Sequence, residues 1–159
     1  VFVWDSSNAT AGDRMRIYLN GSEITSFSAD TNPPQNTQSN WNNTILSGIG
    51  VNNNGSGTSQ YFDGYMAEVN GIDGQALSPY AFGNFNSYGS WAPVRYSGSY
   101  GTNGFYLKFN NGSSTTTLGY DSSGNGNNWT TNNISLTSGS TSKIVSFSCD
   151  TGFGISIIF

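Results

Sequence analysis

The chain has 159 residues, enough for one domain with a proper core and too few for two comfortable ones. Only 9% are charged and five are basic, for a net charge of −4, so there is no positive patch to neutralise nucleic-acid phosphates or to hold an anionic membrane surface. No apolar run approaches the roughly 20 residues of a spanning helix, and the start carries no signal-peptide pattern.

An aromatic content of 14% argues against disorder, because disordered chains lack the apolar area that offsets the entropy of folding. The chain opens at Val1 rather than Met, which reads as a processed chain or a piece of a longer one. The single cysteine, Cys149, has no partner for an internal disulfide and, without any histidine to activate it, reads as a small buried hydrophobe. An odd cysteine count fits a protein made in the cytoplasm that later works outside a cell. Seven Asn-x-Ser/Thr sequons, beginning at Asn8, Asn20, Asn42, Asn54, Asn111, Asn128 and Asn133, are what so Asn-, Ser- and Thr-rich a chain yields by chance.

Helix formers are scarce, and glycine with asparagine punctuates the sequence at the rhythm of an all-β sandwich. Residues 14–19 alternate before Asn20-Gly21, whose positive-φ preference is the strongest short hairpin signal; Glu23 to Phe27 follows as the return strand. Met15, Ile17 and Leu19 are expected on one face, with Arg14, Arg16 and Tyr18 on the other. Residues 28–43 read as a polar loop in which Pro33-Pro34 excludes a central strand. Strands are expected over Thr44–Val51 and Tyr61–Asn70, separated by a polar turn from Asn52 to Ser59. After the turn Asp73-Gly74, Leu77–Phe82 reads as a short helical turn, capped by Ser78 with Pro79 in the first position, and at most one such turn, near residues 78–83, is expected.

Residues 84–104 read as a Gly/Ser/Tyr-rich connection or a long ordered loop. Phe105–Phe109 is the next strand, and Asp121–Asn128 is a turn rich enough in Gly and Asn to require left-handed conformations. Trp129–Leu136 extends again. The tail from Lys143 ends in Ile155-Ser156-Ile157-Ile158-Phe159, which needs covering or continues into further chain.

Three segments resemble the laminin-G-like, concanavalin-like jelly-roll family. Asp13-Arg14-Met15-Arg16-Ile17-Tyr18-Leu19-Asn20-Gly21 is similar to its hairpin; Phe62-Asp63-Gly64-Tyr65-Met66-Ala67-Glu68-Val69, followed by Ala76-Leu77-Ser78, is similar to a strand and the turn after it. Phe105-Tyr106-Leu107-Lys108-Phe109 with Asp121-Ser122-Ser123-Gly124-Asn125-Gly126-Asn127 is similar to its opening strand and turn. In the family the opening strand comes first, and here it comes last. The resemblance therefore implies an antiparallel β-sandwich in which residues 1–83 are a closing half, 84–104 a connection, and 105–159 strands that complete that sandwich or open a second one. The stretch from Asp63 to Trp129 also resembles segments of tailed-bacteriophage particle proteins, notably those of marine phages. That likeness implies a non-enzymatic structural or decoration protein on the virion, in head or tail, contacting other virion proteins and copies of itself.

The residues allow a second reading, a glycan-binding adhesion module. Trp41, Trp91, Tyr100 and Trp129 lie in polar, Gly-rich settings where exposed rings could stack on sugars, with host-surface glycan as the partner. No cofactor is implied, except that calcium suits the carboxylate and amide oxygens of Asp121, Asn125 and Asn127, and laminin-G-like domains bind it on such loops. The competing reading of those three is turn formation through bonds to their own backbone. Catalysis lacks its parts: Glu23 and Glu68 are the two glutamates and form no closely spaced acid pair, so Glu68 is expected to bond a neighbouring loop.

Overall fold

The computed structural model describes residues 1–39, 47–53, 58–134, 136 and 146–149, with the backbone alone for 53, 58, 59 and 146–149. The all-β expectation holds: the described residues form small antiparallel sheets with very little helix. Strands β1 (Phe2–Trp4), β2 (Met15–Leu19) and β3 (Ser22–Glu23) make the first sheet. Its second connection is the Asn20-Gly21 turn, with φ of 48° and 81°, which pairs Leu19 with Ser22 and Tyr18 with Glu23. Both central residues take the positive φ that a two-residue hairpin loop demands. The register sets Phe2 opposite Ile17 and Trp4 opposite Met15, so the apolar alternation does fall on one face. Ile17 and Leu19 on that face are nevertheless exposed, while Val3, on the opposite face, is buried. Arg14 anchors the polar segment between, its guanidinium donating to the carbonyls of Asn8, Ala9 and Pro33 at 2.8–3.0 Å.

The core sits elsewhere. Strands β7 (Val69–Gly71) and β10 (Phe105–Leu107) pair antiparallel, Val69 opposite Leu107 and Gly71 opposite Phe105, and all six residues are buried. Ile49, Val69, Phe105, Leu107 and Trp129 pack together there, with Met66, Phe109 and Ile134 against them. Each such side chain removed from water contributes about 1.5–3 kcal/mol of transfer free energy. Segments on either side of residues 84–104 therefore share one strand pair and one core. Gly71 is dictated by its partner: a Cβ there would lie 2.7 Å from Phe105 Cδ1, so the ring occupies the place of a side chain.

Strand β4 (Ser47–Ile49) pairs with β12 (Ser146–Cys149), which also pairs with β11 (Thr130–Asn132). The expected polar turn at Asn52–Ser59 contains the short ladder β5 (Asn52–Asn53) with β6 (Thr58–Ser59). Strand β8 (Gly83–Phe85) and β9 (Trp91–Pro93) form a hairpin that begins one residue before the stretch expected to be a connection and continues into it.

Three expectations are corrected. The strand expected over Tyr61–Asn70 is reduced to Val69–Gly71, and Glu68, at φ 55°, interrupts the extended backbone just before it. The strand at Phe105–Phe109 stops at Leu107, with Phe109 at φ 56°. More than one helical turn is present. Besides Pro79–Ala81, where Ser78 accepts from the Tyr80 amide and Pro79 leads, there are a 3-10 turn at Ala11–Asp13 and a one-turn helix α1 (Thr115–Leu118). The latter forms because Ser114 and Thr117 cap each other reciprocally, a pairing that serine and threonine runs allow without glutamate. Trp41, residues 44–46, residues 143–145, the tail beyond Cys149 and the side chain of Cys149 lie outside the described residues. No helix among the described residues is long and apolar enough to cross a membrane.

Candidate functional site

Three groupings of polar and aromatic side chains organise the described residues. The first joins the two Gly- and Asn-rich loops flanking β10. Asp121 accepts from the backbone amides of Tyr106 (2.8 Å), Ser123 (2.8 Å) and Asn127 (3.0 Å) and from the Ser123 hydroxyl (2.7 Å). A carboxylate is well suited to this, being acceptor-only with two oxygens to share among several donors. From the same turn, the Asn125 amide nitrogen donates to the carbonyls of Gly101 and Gly104, and that of Asn127 to Thr102 and Gly104, at 2.7–3.1 Å. The other side of the 97–104 loop is tied to the Asp73 turn. The Asp73 amide donates to Tyr100 O (2.9 Å), Asn103 N donates to Asp73 Oδ2 (3.2 Å), and Gln75 Nε2 donates to Ser99 O (2.8 Å). The loop is thus ordered by clamps from both sides.

This geometry bears on the proposed calcium ligands. Asp121, Asn125 and Asn127 do come together, but both Asp121 oxygens face N–H or O–H donors and both asparagine nitrogens face carbonyls. Their observed work is latching. Among the described residues no group of three or more His, Cys, Asp or Glu side chains stands ready for a metal ion.

The second grouping is an aromatic ladder. Phe82 meets Tyr96 at 5.4 Å, Tyr96 meets Tyr100 edge-on at 5.2 Å, and Tyr100 stacks on Tyr106 at 6.1 Å and 16°. Lys108 Nζ lies 5.4 Å from the centre of the Tyr106 ring. The hydroxyls are tied as well: Tyr106 donates to the Glu68 carboxylate, Tyr100 donates to Asn70 Oδ1 at 3.1 Å, and Asn70 Nδ2 donates to Glu68 O at 2.8 Å. Burial pushes the Tyr100 phenol up to about 12, and burial followed by the bond to Glu68 raises that of Tyr106. Glu68 is bonded to a neighbouring element, as expected, and the element is the core strand β10 rather than a loop.

Trp91 holds the third grouping. Its ring is flanked edge-on by Tyr80 at 5.4 Å and Phe85 at 5.2 Å. Gly21 and Gly83 lie against it so closely that a Cβ on either would come within 2.9 Å and 2.5 Å of its Cη2 and Cζ2. Trp91 therefore couples the Asn20-Gly21 hairpin to β8–β9. Around it Tyr80, Phe85 and Val94 are about half exposed, and Tyr88 at the hairpin tip is 91% exposed.

Of the four proposed sugar platforms, Trp129 is corrected: it is 3% exposed, tilted against Phe105 at 4.8 Å in the core, and offers no ring face to a ligand. Tyr100 has one face on Tyr106 and its hydroxyl on Asn70, Trp91 is half-buried among its neighbours, and Trp41 lies outside the described residues. What sequence reasoning missed is a cleft of about 300 Å³ between residues 4–7, Ser39 and the turn at 72–76. No local motif announces it, because its walls come from segments some 70 residues apart in the chain.

Comparison with protein-family models, with curated proteins and with solved structures finds no match.

Proposed function

We propose that the chain is a non-enzymatic structural or decoration module, of jelly-roll sandwich type, on the surface of a bacteriophage particle. It contacts other virion proteins and copies of itself. The observation that carries the reading is the aromatic ridge on β8–β9 and the turn before it, where Tyr80, Phe85, Tyr88 and Val94 stand out on elements braced by Trp91. Large exposed rings gathered on a braced hairpin mark an interaction surface, and aromatic residues are enriched at interface centres. Glu68 and Asp121 both spend their carboxylates on hydrogen bonds within the fold, which fits a structural use of these side chains. The resemblance of the stretch from Asp63 to Trp129 to segments of marine-phage particle proteins supports the proposed location.

An interface of rings and amides does not depend on charge pairs, so salt leaves it intact. Sedimentation of the purified chain at rising NaCl tests this. Self-association that persists at high salt and is abolished by Tyr88→Asp is the expected result. A chain that stays monomeric at every concentration, or associates equally well with Tyr88→Asp, contradicts it.

A further inference from the structure

We infer that the cleft between residues 4–7 and the 72–76 turn is a binding site for one residue of a neutral, hydroxyl-rich saccharide. The inference does not depend on the virion role and uses none of the aromatic platforms read from the sequence.

Its volume of about 300 Å³ stands at the small end of ligand clefts, which run about 300–1,000 Å³. That suits a single sugar ring better than an extended chain. The lining divides in two. Half-buried Trp4 with Ile72 and Ala76 gives an apolar wall, the kind of surface on which the C–H face of a pyranose rests. Asp5, Asp73 and Gln75 give a wall of oxygen acceptors.

Those acceptors are partly spent, in a way that defines what remains. Ser7 Oγ donates to Asp5 Oδ1 at 2.6 Å, and Asn103 N donates to Asp73 Oδ2 at 3.2 Å. Gln75 uses its nitrogen on Ser99 O at 2.8 Å. Among the described residues nothing bonds Asp5 Oδ2, Asp73 Oδ1 or Gln75 Oε1. The cleft thus presents unspent acceptors and calls for a ligand that brings donors, as hydroxyl groups do. Two carboxylates on its walls repel an acidic sugar.

Both walls are fixed from behind. Asp5 N donates to Arg14 O at 2.7 Å, Asn36 N to Ser6 O at 2.8 Å and Gln35 Nε2 to Ser7 O at 3.0 Å; across the cleft, Asp73 N donates to Tyr100 O. A site already in its bound shape loses little entropy on binding, which matters for a ligand this small.

The test is saturation-transfer NMR and calorimetry on the whole chain with methyl glycosides of glucose, galactose, mannose and N-acetylglucosamine. Glucuronate and sialic acid serve as acidic counterparts, and chelator is present throughout. We expect millimolar binding of at least one neutral glycoside, none of the acidic sugars, and loss of about tenfold or more on Trp4→Ala. Because Trp4 also packs, the second variant is Ala76→Tyr, which fills the cleft from an exposed position; it should unfold like the parent and bind no sugar. Failure of every neutral sugar to bind overturns the inference, as does binding that survives Ala76→Tyr. Saturable calcium binding, measured without chelator and removed by Asp5→Asn, in the absence of sugar binding would make the cleft a cation site and overturn it equally.

Discussion

Asp121 shows how much one side chain can organise. Its carboxylate gathers three backbone amides and a hydroxyl, and one of those amides belongs to the central residue of β10. Asparagine in its place keeps one acceptor oxygen but turns an NH2 group toward Asn127 N and the Ser123 hydroxyl, donor against donor. Hydrogen bonds to a charged group contribute about 1.5–3 kcal/mol. Asp121→Asn should therefore cost about 2–3 kcal/mol in urea unfolding and speed hydrogen exchange at the Tyr106 and Asn127 amides. A wild-type midpoint with unchanged exchange would show that the latch carries no stability. The tyrosines give a second prediction at this scale. Tyr100 has its pKa raised from 10.0 to about 12 by burial, and Tyr106 is raised too. A phenol held neutral in the fold binds its proton more tightly folded than unfolded. Its stabilisation is whole below pH 10.0 and is lost as pH climbs through about 12. Alkaline titration should show two phenolates appearing together with loss of structure, and early, reversible ionisation of all nine tyrosines in the folded chain would contradict the ladder.

At the scale of elements, the β7–β10 pair unites the sequence on both sides of the Gly-rich stretch. Gly71→Ala forces a methyl against the Phe105 ring, and overpacking of this kind costs about 1–3 kcal/mol. Gly126→Ala, at φ 77° with nothing within 4 Å of the added carbon, meets backbone strain alone and should cost less. Equal midpoints for the two variants would argue that the strand pair is not where the core is closed. The same elements show what a sequence reader could see. The Asn20-Gly21 hairpin and the Ser78-Pro79 turn were legible, because each follows from local backbone preference. The β8–β9 hairpin was not. Its loop is closed by the Asn86 side chain accepting from Tyr88 N and Ser90 N, with Gly89 at φ 74°, chemistry hidden in a composition that also describes linkers. The early end of the strand before Asn70 depends on Glu68 at φ 55°, a conformation fixed by tertiary bonds rather than by glutamate's preference. The candidate sites were legible only in part. The Asp121 turn could be read as turn chemistry. The burial of Trp129 beneath exposed Asn128 and Thr130 depends on distant partners, and so does the cleft between residues 4–7 and 72–76.

For the whole molecule, a picture emerges of small antiparallel sheets tied by side-chain amides, hydroxyls and stacked rings, with few charges involved. Clamped loops fix the interior, and an aromatic ridge braced by Trp91 stands outside it. The proposed role, permanent contacts in a repetitive shell, would draw on this construction, because interactions indifferent to ionic strength are an advantage there. The most direct measurement of that role is electron imaging of intact phage particles, using a binder raised against the Tyr88 hairpin-bearing chain, with mass analysis of the same purified particles. The chain is expected in every particle, with label at regularly repeated positions on the particle surface that grows denser after mild dissociation. Particles that lack the chain, with the protein found only free in the lysate, would contradict it.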